Sequence, residues 1–149
     1  MAKNKDFFKI VPKAMQIMIK MEQYIKEEST IDPLLYELIK TRASQINGCA
    51  YCLDMHTKDA LKIGETSQRL FLLSAWRETS LFTDKEKAAL ELTEQVTQIS
   101  QVIIDEDLHD LVLKHFTEKE FADLIIIINQ INAWNRINIT MLNDIDHSY

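Results

Sequence analysis

The sequence contains two cysteines, Cys49 and Cys52, and a histidine, His56, follows the second at a spacing of four. Two thiols are too few for the disulfide framework of a secreted domain, and they lie too close together to staple distant parts of a fold. A Cys-x-x-Cys pair in a reducing compartment is either half of a metal site or a redox pair, and both readings need neighbours. On a helix that turns about 100° per residue, Cys49, Cys52, Leu53, His56, Ala60 and Ile63 share one face, with Tyr51, Asp54, Lys58 and Lys62 on the other. Both thiols and the imidazole then fall in the inward stripe, where a polar group must be satisfied or useful. A single histidine there would read as a satisfied core residue, but two thiols on the same face change that reading. A thiol near a helix N-terminus meets the positive end of the backbone dipole, and an imidazole one turn away can take its proton. Such surroundings lower a cysteine pKa from about 8.5 to roughly 3.5–7.5 and so populate the nucleophilic thiolate. Positions i and i+3 of a helix bring Cβ atoms to about 5–6 Å, whereas a disulfide needs roughly 3.5–4.5 Å. Oxidation is therefore expected to distort the first turn slightly, giving a reducible disulfide.

Glu37 is the carboxylate that could complete this group. Periodicity places it with Lys40, Thr41 and Ser44, opposite Leu35, Ile39, Ala43 and Ile46, so the pattern alone predicts a solvent-facing residue. The short Asn47-Gly48 connection argues the other way, because an antiparallel helix pair would bring Glu37 to about the level of His56. Two thiolates, an imidazole and a carboxylate could also satisfy zinc, but structural zinc patterns bring a second Cys/His pair. His109, His115 and His147 offer no such spacing, so no metal is expected. A thioredoxin-type module is disfavoured because its motif belongs to a βαβ setting.

The elements that must position these residues are helical. In 149 residues there are two glycines and two prolines, 46% of the residues are hydrophobic, and no alternating strand pattern, internal repeat or second domain is apparent. Pro12 can open a helix running to about Lys26, with Met15, Met18, Ile19, Met21 and Ile25 as a stripe suited to core or subunit contact. Asp32 and Pro33 give an N-cap and first-turn proline for a helix through Asn47, and Gly48 supplies its stop. The next helices are expected over Cys49–Ile63 and Ser67–Glu78. Capping boxes at Thr83/Glu86 and Thr117/Glu120 open helices to about Ser100 and Leu142. Between them, Asp105–His115 reads as a short amphipathic helix with Leu108, Leu111 and Val112 inward. The last helix is apolar on nearly every side from Leu124 to Ile131, which predicts the buried centre of a bundle or of an oligomer.

A formal charge of -6, with no Lys/Arg run, removes the electrostatic footprint of a nucleic-acid binder. The longest apolar run, Leu124 to Ile128, is far short of the roughly 20 residues of a membrane span, so no membrane partner is expected. Met1 to Asp6 is basic and polar, without a cleavage site after an apolar core, so no signal peptide is read and a cytoplasmic protein is expected.

The stretch from Glu37 to His56, with Cys49, Cys52 and His56 at fixed spacing, resembles the alkylhydroperoxidase AhpD-like members of the carboxymuconolactone decarboxylase superfamily. The similarity continues through Leu73–Arg77, Thr83–Leu90 and Asn132–Arg136, covering roughly residues 30 to 140. It divides the chain into an N-terminal helix, 1–29, and an AhpD-like domain, 30–149. The resemblance implies an all-α, AhpD-like helical bundle of one domain that forms homo-oligomers, often trimers or hexamers. It also implies a peroxidase without cofactor, in which Cys52 attacks the hydroperoxide, Cys49 closes the disulfide, and Glu37 with His56 relays the proton. A separate thiol/disulfide reductant would return the dithiol form. Helix-end electrostatics alone would favour Cys49 as the attacking thiol; the family pattern, with Cys52 paired to His56, favours Cys52. One position departs: well-studied AhpD members carry a histidine where this chain has Tyr51. The decarboxylase branch usually lacks the cysteine pair, so lactone decarboxylation is not expected. A non-enzymatic redox sensor, whose disulfide alters an interface, is the alternative from a different class.

Overall fold

The computed structural model describes residues 6–145 and 147. The leader reading rests on Met1 to Asp6, which apart from Asp6 lies outside the described residues. Among the described residues the chain forms one all-helical domain with no strand. The helices are α1 (Phe7–Ile10), α2 (Pro12–Glu28), α3 (Pro33–Asn47), α4 (Ala50–Lys62), α5 (Ser67–Leu72), α6 (Asp84–Thr97), α7 (Glu106–Leu113) and α8 (Glu118–Thr140). A 3-10 turn, Leu73–Glu78, continues α5. Among the described residues no helix is long and apolar enough to cross a membrane.

The start signals act as their chemistry dictates. Asp32 accepts from the backbone N–H groups of Leu34 and Leu35, and both capping boxes close reciprocally, Thr83 with Glu86 and Thr117 with Glu120. Gly48 sits at φ 69°, the left-handed conformation that ends α3 and turns the chain into α4.

α3 is the central element, packed against α4, α6 and α8. One side of it joins Leu35 and Ile39 to Leu92, Val112, Leu124 and Ile128; the other joins Leu38 to Ala60, Leu73, Trp76, Phe82 and Leu90. Being enclosed on several sides, α3 buries its polar stripe as well. Lys40, Thr41 and Ser44 are all buried and Glu37 is only 12% exposed, so the expectation of a solvent-facing stripe is overturned.

Other expectations are corrected at their edges. The helix expected over Ser67–Glu78 changes to 3-10 geometry at Leu73 and loses helical torsions at Ala75, with φ -117° and ψ 27°. This break carries no glycine or proline signal, and it allows both Leu73 and Trp76 to be buried. Helices expected to reach Ser100 and Leu142 end at Thr97 and Thr140. Leu111, expected inward, is exposed, as is Ile63 at the end of α4. In α2, Met15 and Ile25 are buried while Ile19 and Met21 remain at the surface. From Leu124 to Ile131 α8 is buried except at Ile125 and Asn129, with Ile126 partly so. The one-turn helix α1 was not anticipated.

Candidate active site

Cys49 stands just before α4, not within it. Its torsions are extended, φ -87° and ψ 94°, and its sulfur accepts from the Cys52 backbone N–H at 3.3 Å, so the side chain caps the helix it precedes. The extended residue places the two Cα atoms 5.3 Å apart, within the span of a disulfide, and the two sulfurs are bonded to each other. The distortion expected of the first turn thus falls on the cap residue, and α4 begins at Ala50. Cys49 is 1% and Cys52 0% exposed.

One turn along α4, His56 is buried with its Nδ1 2.8 Å from Oε2 of Glu37. The left-handed turn at Gly48 folds α4 back along α3, which brings together a carboxylate and an imidazole 19 residues apart. A carboxylate on Nδ1 orients the ring and leaves Nε2 as the nitrogen not committed to Glu37. The structure therefore pairs Glu37 of α3 with His56 of α4 and bonds Cys49 to Cys52 one turn before that histidine. Among the described residues no group of three or more His, Cys, Asp or Glu side chains is placed to hold a metal ion.

A cavity of about 660 Å³ adjoins this group, bordered by Glu37, His56, Tyr51 and Met55 and by Trp134 and Ile137 from α8. Neither cysteine lies on its wall. Its far side is closed by α1 and α2, where Phe8 stacks on Trp134 with ring centroids 6.5 Å apart.

A polar cluster that the sequence reading did not anticipate crosses this cavity wall. Glu22 of α2 accepts from Tyr36 Oη at 2.7 Å, Lys40 Nζ at 2.8 Å and Trp134 Nε1 at 2.8 Å. Burial pushes the Glu22 carboxyl up, but the Lys40 ammonium and the three donors outweigh it and hold the group below the usual carboxylate range. Burial pulls the Lys40 ammonium below the ordinary lysine value against the opposing pull of Glu22 and Glu37. Burial and the Glu22 charge raise the Tyr36 phenol well above its ordinary value, so it stays a donor. No spacing in the sequence links Glu22 to α3, because the two lie on separate helices.

A second unanticipated residue is Asn138 of α8, whose Nδ2 lies 3.6 Å from the Cys52 sulfur. Asn132 and Asn135 precede it on the same helix, all three buried, and Asn47 beside the Gly48 turn donates to Oδ1 of both. Asparagines recurring every third residue through an apolar helix were a visible signal. Buried amides need partners, and here the partners are the α3–α4 turn and the sulfur.

The carboxymuconolactone decarboxylase family model matches residues 12–95. The uncharacterised Bacillus subtilis protein YdfG is 48% identical over 143 residues, covering 96% of this chain and 97% of its own. The crystal structure of an Agrobacterium tumefaciens protein of unknown function, provisionally placed among AhpD antioxidant defence proteins, superposes with a TM-score of 0.91. That protein is 32% identical, and the match covers 96% of this chain and 97% of its own. The debrominase Bmp8 shares the fold, with a TM-score of 0.81 at 18% identity over 91% of this chain and 73% of its own.

Proposed function

The chain belongs to the carboxymuconolactone decarboxylase family as an AhpD-like member, and we propose that it is a thiol-dependent hydroperoxidase of the antioxidant type. The observation that carries this reading is the Cys49–Cys52 disulfide one helical turn before His56, whose pair with Glu37 borders an organic-sized cavity.

In the reduced protein the Cys52 thiolate attacks the distal oxygen of a hydroperoxide. The S–O bond forms as the O–O bond breaks, the departing alkoxide takes a proton from His56 and leaves as the alcohol, and Cys52 becomes a sulfenic acid. The Cys49 thiol then attacks that sulfur, releasing water and closing the disulfide. Glu37 holds the His56 ring in place as it takes the Cys52 thiol proton and then passes it to the alkoxide. A separate dithiol donor supplies the two electrons and two protons that restore both thiols. The cavity, at about 660 Å³ and lined by apolar side chains such as Met15, Met55 and Trp134 as well as charged ones, has room for an organic hydroperoxide. Homo-oligomer formation and a cytoplasmic location are part of the same proposal.

The test is to mix the reduced protein with cumene hydroperoxide and follow peroxide and thiols together. Consumption of one peroxide with loss of two thiols is expected. No consumption by the fully reduced protein would overturn the reading, and a disulfide-dependent change in oligomer size without turnover would favour a redox sensor.

A further inference from the structure

We propose that Asn138 is the donor that stabilises the Cys52 thiolate. The proposal deepens the peroxidase reading and rests on Cys52 as its nucleophile.

The Asn138 amide is fixed by partners other than the sulfur. Its Nδ2 donates one proton to the Trp134 carbonyl at 3.0 Å, and its Oδ1 accepts from Nδ2 of Asn143 at 2.8 Å. The Asn143 backbone N–H also binds the Asn138 carbonyl, at 3.0 Å. Flipping the amide would set its oxygen against the Trp134 carbonyl, a fixed backbone acceptor, losing that bond and adding a repulsion. The remaining N–H is therefore directed to Cys52 Sγ, 3.6 Å away, whatever charge that sulfur carries.

A disulfide sulfur is a weak acceptor, and a thiolate is a strong one. Hydrogen bonds to ionised groups are shorter and roughly twice as strong as neutral ones. An N–H held in place gains most when the sulfur ionises, so it favours Cys52–S⁻ plus a released proton over Cys52–SH. Cys52 is 0% exposed, so the sulfur end of this contact is shielded from water, while Asn138 borders the cavity together with Asn143.

The two cysteines take their donors from different elements. Cys49 Sγ has the Cys52 backbone N–H, and the helix-end dipole acts on it too. Cys52 lies within α4 and takes its donor from α8. Nearby ionisable groups are Cys49 before α4, His56 on α4 and Glu37 on α3, with Lys40 one turn beyond; the buried face of α8 brings neutral amides here. Asn138 is thus the contribution of α8 to the Cys52 anion.

The test needs no peroxide. In a Cys49→Ser background the serine can still cap α4, and Cys52 titrates alone. The readouts are thiolate absorbance near 240 nm and iodoacetamide alkylation rate, each against pH. Asn138→Leu should raise the thiol midpoint by about one unit, which means roughly tenfold less thiolate at any pH below it. Asn138→Asp, of matched shape, should raise it further by placing a carboxylate against the sulfur. Asn143→Leu, which releases the amide, should give a smaller shift in the same direction. A merely structural role would lower the melting temperature and leave the midpoint in place, and an unchanged midpoint in the variants that fold overturns the proposal. If the midpoint moves but the reduced wild-type protein consumes no hydroperoxide, the peroxidase reading falls and the assignment of Asn138 stands.

Discussion

Trp134 donates its indole N–H to Glu22 at 2.8 Å across 112 positions of sequence, tying the second helix to the last across the wall of the cavity. The same carboxylate receives Lys40 and Tyr36 from α3, so one side chain joins three helices around the space beside His56. Replacing Glu22 by Gln leaves the Lys40 ammonium, 3% exposed, without its counter-charge. Breaking a buried pair from one side costs about 3–5 kcal/mol. Urea unfolding should show a loss of that order for Glu22→Gln, and the double variant Glu22→Gln/Lys40→Met should recover much of it by removing the stranded charge.

Acid should unfold the protein partly through two carboxylates. Glu22 is held below the usual range by Lys40 and its donors, and Glu94 by Trp76, Arg77 and Arg42, in each case against the upward push of burial. A carboxyl whose value is depressed in the fold contributes stability above its unfolded value, about 4.5, and loses it as pH falls through the folded value. Unfolding free energy measured between pH 7 and 3 should therefore be level near neutrality and fall below about 4.5. Glu22→Gln, though less stable throughout, should show a shallower fall, and an identical slope would remove Glu22 from this account.

Glu37→Gln keeps the shape of the contact with His56 and removes the charge that steadies a protonated ring. Loss of a general acid–base function typically costs about 10²–10⁴-fold, and since the imidazole itself remains, a fall near the lower end, about 10²-fold, is expected in hydroperoxide turnover. Disulfide formation by a nonspecific oxidant such as diamide should change far less, because that reaction needs no proton delivered to an alkoxide.

The two cysteines should separate cleanly by mass spectrometry. Cys52→Ser should abolish turnover and leave Cys49 unmodified by the peroxide. Cys49→Ser should consume one equivalent of peroxide and stop at a sulfenic acid on Cys52 that dimedone captures. Capture at Cys49 in the Cys52→Ser protein, at a wild-type rate, would reverse the assignment of the two sulfurs.

Local signals made much of the helical framework readable. Asp32-Pro33, Gly48 and the two capping boxes each satisfy backbone groups within a few residues, so their effect depends little on the rest of the fold. The inward placement of Cys52 and His56 was readable for the same reason, as both lie on one short helix with a clear apolar stripe. Glu37 and Lys40 were not. A stripe of Glu, Lys, Thr and Ser is counted as solvated by periodicity, which does not see that α2 brings Glu22 to Lys40 and α4 brings His56 to Glu37. The break after Leu72 escaped for a related reason, since it is set by where Leu73 and Trp76 find room in the core and not by a residue that ends helices. Asn138 is intermediate: its repeat with Asn132 and Asn135 was visible, but the sulfur it addresses is 86 residues away.

The oxidised sulfurs are shut away from the surface and from the neighbouring cavity alike. A bulky electron donor cannot make the collinear approach that thiol–disulfide exchange demands until the start of α4 swings outward. Regeneration should then be governed by how often that segment breathes, setting a ceiling on the catalytic cycle that adding more donor will not lift.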